Sequence, residues 1–201
     1  MSIAPQRYTV EQYYENEAES DVRHEYFDGE VFAMAGGTAE HSLIKTSISS
    51  ALRDAAVREG CVAFDSDMNV VCPSGLRTYP DASVTCGDPE LEDEKRLALL
   101  NPSLVVEVLS RTTEKYDRGA KLDNYQTIES LKEVLFVWSD RVRVDHRVKQ
   151  RDGGWLEKTY ERLADRVSLE HPTCELSLSR VYEQVTLPEA RLEGGNRDTD
   201  T

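Results

Sequence analysis

Apolar residues recur every three to four positions through residues 39–59: Ile44, Ile48, Leu52 and the Ala55/Ala56 pair share one side, and Gly60 supplies a stop. The spacing predicts the longest core helix of the chain. A shorter helix over residues 9–18 is expected from Thr9-Val10-Glu11-Gln12, a capping-box pattern. Residues 23–27 and 30–34 read as strands around Asp28-Gly29, the pair that most favours a two-residue hairpin turn, with Gly36-Gly37 breaking the second strand. Short strands are expected at 61–64 and 68–72, and a longer one at 77–85 running through Tyr79-Pro80-Asp81, followed by an acidic loop over 87–95. Next come an apolar strand at 104–109, a charged helix over 113–128, and strands at 133–138, 142–149 and 155–160. This order predicts an α/β core whose sheet is extended at one edge by an antiparallel hairpin. Residues 1–187 read as a single domain, and residues 188–201 as a disordered tail.

With 201 residues, 39% of them hydrophobic, the chain is long enough for one sizeable core. A formal net charge of −14 argues against a surface coated with positive charge for indiscriminate nucleic-acid binding, though not against a local basic patch. Four cysteines show neither CxxC pairing nor zinc spacing, so reduced thiols are expected. No stretch approaches the roughly 20 apolar residues of a membrane span, and residues 1–8 lack an apolar signal segment. A cytoplasmic location without membrane contact is the expectation.

The strand at 104–109 carries one carboxylate, Glu107, in otherwise apolar sequence. Taking an ionised carboxylate out of water costs several kcal/mol unless a cation or hydrogen bonds compensate it. Asp81 is a second acid inside a strand-like segment. If the two strands are neighbours, these acids converge as hard oxygen ligands, and Mg²⁺ would relieve their repulsion. Asp117, Lys121 and Tyr125 follow at i, i+4, i+8, so one helix face would present a carboxylate, an ammonium and a phenol. Arg111, Lys115 and Arg118 near that helix start are candidates for a phosphodiester backbone.

The set Arg23-His24-Glu25-Tyr26-Phe27-Asp28-Gly29-Glu30, His41, Tyr79-Pro80-Asp81, Glu107-Val108-Leu109-Ser110, Asp117-Arg118-Gly119-Ala120-Lys121 and Tyr125 resembles the Uma-type ("Uma two") restriction endonuclease family of the PD-D/E-x-K nuclease superfamily. The likeness runs over residues 8–182. It implies a restriction-endonuclease-like core, a central mixed sheet flanked by helices, with Asp81 and Glu107 as metal ligands. Leu109 stands where the superfamily's usual lysine lies, and Lys121 matches the family's alternative placement. The implied activity is Mg²⁺-dependent hydrolysis of DNA phosphodiester bonds, with Mn²⁺ as a substitute ion and pairing into a homodimer; the acidic composition keeps a separate reading open, the same metal chemistry on RNA or a small phosphodiester.

Other readings stand beside these. Asp117 with Lys121 is also an ordinary helix ion pair, and Glu107 also suits a structural salt bridge to an arginine. His41 suits a phosphate contact or a helix end. Glu30 is a further candidate acid for the metal, but Glu25 and Glu30 sit in a run with eight acids and one arginine between residues 11 and 30, which favours solvent exposure. Ser110 reads as a helix cap. Arg141, Arg143, Arg147, Lys149 and Arg151 fall on one strand face, as a phosphate track or as an edge protected by charge. A catalytically silent binding or regulatory module with the nuclease fold is the rival from another functional class.

Overall fold

The computed structural model describes residues 7–34, 36–93 and 98–187. Thr9 and Gln12 close a reciprocal capping box that opens α1 (Val10–Glu19). β1 (His24–Phe27) and β2 (Glu30–Ala33) pair antiparallel around Asp28 and Gly29, whose φ angles of 47° and 82° suit the primed turn that follows strand twist. α2 (Ala39–Glu59) begins where the Thr38 side chain accepts the His41 N–H, and ends at Gly60 with φ 69°. The chain continues through β3 (Cys61–Asp65), β4 (Asn69–Val71), β5 (Arg77–Thr78), β6 (Ala82–Cys86), β7 (Ala98–Leu99) and β8 (Leu104–Leu109). A helical stretch holds α3 (Glu114–Tyr116), a π-helical turn (Asp117–Lys121) and α4 (Leu122–Tyr125). β9 (Glu133–Trp138), β10 (Val144–Lys149), β11 (Trp155–Tyr160), β12 (Arg166–Glu170), β13 (Thr173–Ser177) and α5 (Leu178–Val181) complete it.

The central sheet has six strands in the order β11-β10-β9-β8-β6-β3. It is mixed: β8 and β9 run parallel and the other neighbours antiparallel. Both parallel strands are buried at every position, which is why all but Glu107 and Glu133 in them are apolar. On one face, Ile44, Ile48 and Leu52 of α2 pack against Val84, Val106 and Leu135. On the other, Val105, Leu109 and Phe136 meet Leu122 and Tyr125 together with Val70 and Leu99 of a second sheet, ordered β2-β1-β5-β4-β7. The β10–β11 hairpin extends the central sheet, as the sequence suggests.

Four expectations are corrected. The strand expected at 77–85 is two strands in different sheets: β5 pairs with β1 and β4, β6 with β3 and β8, and Tyr79-Pro80-Asp81 carries the chain across, where Pro80 has no N–H to give a ladder. The helix expected over 113–128 is broken at Gly119, whose φ −106° and ψ −109° are not helical. Cys61 and Cys86 are not free thiols: β3 and β6 set them directly opposite, and they form a disulfide, while Cys72 and Cys174 remain reduced. The basic strand is no edge, because β10 lies between β9 and β11, and its arginines are committed internally, Arg143 to Asp145 and Arg147 to Glu157. The acidic loop lies partly, and the carboxyl-terminal tail wholly, outside the described residues.

Candidate active site

Asp81 stands one residue beyond the Ala82↔Val106 pair of β6 and β8, so continuing that antiparallel register sets it opposite Glu107. Its Oδ2 accepts the Val108 N–H at 2.7 Å and lies 3.3 Å from His41 Nε2. The His41 ring reaches this position because Gly37 has no side chain: a Cβ there would sit 2.7 Å from His41 Nδ1. Gly37 therefore does more than end a strand.

Lys121 is 2% exposed and Glu107 5%. The Lys121 Nζ lies 2.8 Å from Glu107 Oε1, 3.0 Å from Glu25 Oε1 and 3.7 Å from Asp117 Oδ1. Tyr125 donates its hydroxyl to the same Glu107 oxygen at 2.5 Å. Glu25 is further held by Thr78 at Oε1 and by Tyr116 at Oε2, 2.8 Å away. The broken helix still delivers Asp117, Lys121 and Tyr125 to one place: across the kink at Gly119 the Asp117 carboxylate stays 3.7 Å from Lys121 Nζ, and Tyr125 follows Lys121 by one helical turn.

One ammonium serves this group, against the carboxylates of Glu25, Asp81, Glu107 and Asp117. The imbalance is visible in their protonation. Burial pushes Glu107 up to about 8, with Lys121 opposing and Asp117 and Asp81 adding to the rise. Burial likewise raises Asp117 despite Lys121. Glu25 is also desolvated, but Lys121 and the bonds from Thr78, Lys121 and Tyr116 outweigh that and hold it below the usual carboxylate range. Lys121 is desolvated too, yet Glu107 and its other neighbours hold it well above the ordinary lysine value.

These side chains face a cavity of about 1050 Å³ whose lining includes Asp81, Glu107, Lys121, Asp117, Glu25 and His41. Among the described residues, no group of three or more His, Cys, Asp or Glu side chains is arranged to hold a metal ion by itself. Two hard oxygen donors with an excess of negative charge nevertheless suit Mg²⁺, which commonly takes one or two carboxylates and completes its shell with phosphate oxygens and water. No described hydrogen bond reaches Glu107 Oε2 or Asp81 Oδ1, so each acid has an oxygen to offer.

Other candidates lie elsewhere. Glu30 sits at the turn end of the β1–β2 hairpin, outside the cavity lining. Ser110 holds the turn that leads into α3, whose cap position is Thr113: its Oγ accepts the Thr113 N–H at 3.2 Å and its carbonyl the Glu114 N–H. Arg111 pairs with Asp140, and Arg118 with buried Asp145 at 2.8 Å. Glu25, Thr78 and Tyr116 are the contributions that sequence reasoning missed. For Glu25 no local signal was available, since Phe27 on the same strand face is 40% exposed.

The mixed central sheet and the helices that cover it define an α/β protein of the restriction-endonuclease-like fold class. Residues 10–180 match the model of the Uma2 family, described as "Putative restriction endonuclease", and the chain belongs to that family. Two uncharacterized proteins of Synechocystis sp. (strain ATCC 27184 / PCC 6803 / Kazusa) are similar: one is 36% identical over 86% of this chain and 90% of its own, the other 32% identical over 74% and 84%. A crystal structure described as a putative nuclease belonging to DUF820, from Anabaena variabilis ATCC 29413, superposes with a TM-score of 0.64 at 16% identity, covering 82% of this chain and 92% of that one. This likeness is one of fold.

Proposed function

We propose that the chain is a Mg²⁺-dependent endonuclease that hydrolyses phosphodiester bonds in DNA, with Mn²⁺ as a substitute ion, Asp81 and Glu107 as the metal ligands and Lys121 as the displaced lysine of the superfamily site. The observation that carries this reading is the meeting of Lys121, Glu107 and Asp81 at one cavity, with the carboxylates of Glu25, Glu107 and Asp117 gathered around the Lys121 ammonium. Held by the two acids, the ion would supply positive charge to a phosphoryl oxygen and acidify a coordinated water.

The protein's own groups have separate tasks. Asp81 is oriented by the Val108 N–H and by His41, so its free oxygen is fixed before any ligand arrives. Lys121 is placed to donate to the phosphate oxygens on which charge grows. Glu25 retains the ammonium at the site when Glu107 turns its charge to a cation.

The test is cleavage of supercoiled plasmid, single-stranded circles and matched RNA in Mg²⁺ or Mn²⁺ by the wild type and by Asp81→Asn, Glu107→Gln and Lys121→Ala, each checked by thermal melting. Wild-type cleavage, reduced by about 100-fold or more in each folded variant, is expected. Folded wild type that cuts none of these substrates would reject the reading. One observation favours the silent-module alternative: Lys121 and Tyr125 already occupy Glu107 Oε1. A melting temperature raised by Mn²⁺ in the wild type but not in Asp81→Asn speaks against that alternative.

A further inference from the structure

The face of the β1–β2 hairpin that carries Glu25 also carries aromatic side chains with no core to fill. Strand alternation puts Phe27 on the same side as Glu25, and the register sets Phe32 directly opposite Glu25. Phe27 is 40% exposed and Phe32 48%, and both line the cavity that holds Glu107 and Lys121. Val22 and Tyr116, 48% and 41% exposed, line it too. Half of the large apolar side chains exposed among the described residues thus border this one cleft. Its opposite character is acidic. Besides the buried carboxylates, Asp21 and Asp67 line it, whereas its cations are Lys121, Arg23 and Lys45. Lys121 is taken by Glu107 and Glu25, Arg23 lies 3.6 Å from Asp67 and over the Tyr79 ring, and Lys45 bonds Ser66.

Gripping a duplex depends on many cations along two phosphate strands, and this cleft has few to give. Unpaired nucleotides present a single phosphate strand, so fewer cations have to follow it, and their bases add binding by stacking on aromatic faces. We propose that the cleft takes single-stranded DNA, with Phe27 and Phe32 as the stacking platform for bases beside the phosphate presented to Lys121. The inference rests on the nuclease reading for where the strand runs, and it narrows the substrate to unpaired segments: single strands, flaps or bubbles.

The test separates the two readings by measuring binding apart from cleavage. A labelled oligonucleotide, alone or annealed to its complement, is titrated with full-length protein in Ca²⁺ by fluorescence anisotropy at several salt concentrations. The single strand is expected to bind at least about tenfold more tightly, with a log–log salt slope no steeper than about −2. Phe27→Ala and Phe32→Ala are each expected to weaken it roughly 5- to 150-fold, whereas Phe32→Trp retains affinity. Both side chains are exposed, so unchanged melting temperatures are expected and are measured alongside. Preferential, Phe-dependent binding by a protein that cuts nothing in Mg²⁺ would support the platform and sink the nuclease reading. Equal binding of both forms, no binding of either, or indifference to both phenylalanine changes would overturn the platform, whatever the cleavage assay shows.

Discussion

Glu25 Oε1 lies 3.0 Å from Lys121 Nζ, an ion pair that ties the hairpin of one sheet to the helical stretch covering the other. Both partners are buried, and without Glu25 the Lys121 ammonium depends on Glu107 and Asp117, whose carboxyls burial raises towards the neutral form. Glu25→Gln is therefore expected to destabilise the protein by about 3 kcal/mol in urea unfolding at pH 7. A loss well under 1 kcal/mol would show that Glu107 alone suffices for the lysine.

Removing the ammonium has the reverse effect on cations. In Lys121→Met, Glu25, Glu107, Asp117 and Asp81 face one another without a counter-charge, and a lower melting temperature in chelator is expected. Mn²⁺ should recover more of the melting temperature in this variant than in the wild type, because the ion meets no competing ammonium. Equal Mn²⁺ shifts in both proteins would contradict that competition.

The raised Glu107 carboxyl predicts a pH dependence. An unfolded glutamate titrates near about 4.3, while burial pushes Glu107 up to about 8 in the fold. Between these values the folded chain keeps a proton that the unfolded chain has lost, so this group makes metal-free stability fall as pH rises from 5 to 8. The slope contributed is at most about 1.4 kcal/mol per pH unit. Glu107→Gln, compared with wild type in chelator at pH 5, 6, 7 and 8, should remove this component, and parallel curves would refute it.

Gly37→Ala tests the approach of His41 to Asp81. The new methyl would stand 2.7 Å from the ring nitrogen, so the imidazole must shift away. The expected outcome is weaker Mn²⁺ stabilisation with a change in metal-free stability below about 1 kcal/mol, since the ring is at the cavity rather than in the core. Unaltered Mn²⁺ response would release His41 from any role in orienting Asp81.

Two sets of ion pairs outside the cavity lining separate buried from exposed charge. Asp145 is fully buried and accepts from Arg118 at 2.8 Å, from Arg143 at 3.0 Å and from Thr159 at 2.8 Å. Asp145→Ala should cost about 3 kcal/mol. Breaking the exposed Arg166–Glu175 pair should cost under about 1 kcal/mol. Urea midpoints of the two variants compare them directly.

Local sequence carried α2, the Asp28-Gly29 hairpin and β8 with little ambiguity, because periodicity, caps and turn residues agreed at each. It did not carry the change of sheet at Tyr79-Pro80-Asp81, since strand patterning says nothing about which neighbour a strand takes. The Cys61–Cys86 pairing escaped for the same reason: only the β3–β6 register makes those residues opposite. Asp81 and Glu107 stood out because they interrupt strand-like apolar sequence, and Lys121 because it shares a helix face with Asp117 and Tyr125 and matches the family's alternative lysine placement. Glu25 was masked by the acids around it, where composition suggested solvent; its burial comes from Lys121, Thr78 and Tyr116, partners distant in sequence.

The crossing at Tyr79-Pro80-Asp81 places the charged cluster at the seam between two sheets, with Glu25 contributed from one side and Glu107 from the other. The polar centre is then also the weld of the molecule. A lineage drifting away from this chemistry has to exchange its charges in concert, for a lone loss opens the joint before it merely silences the site.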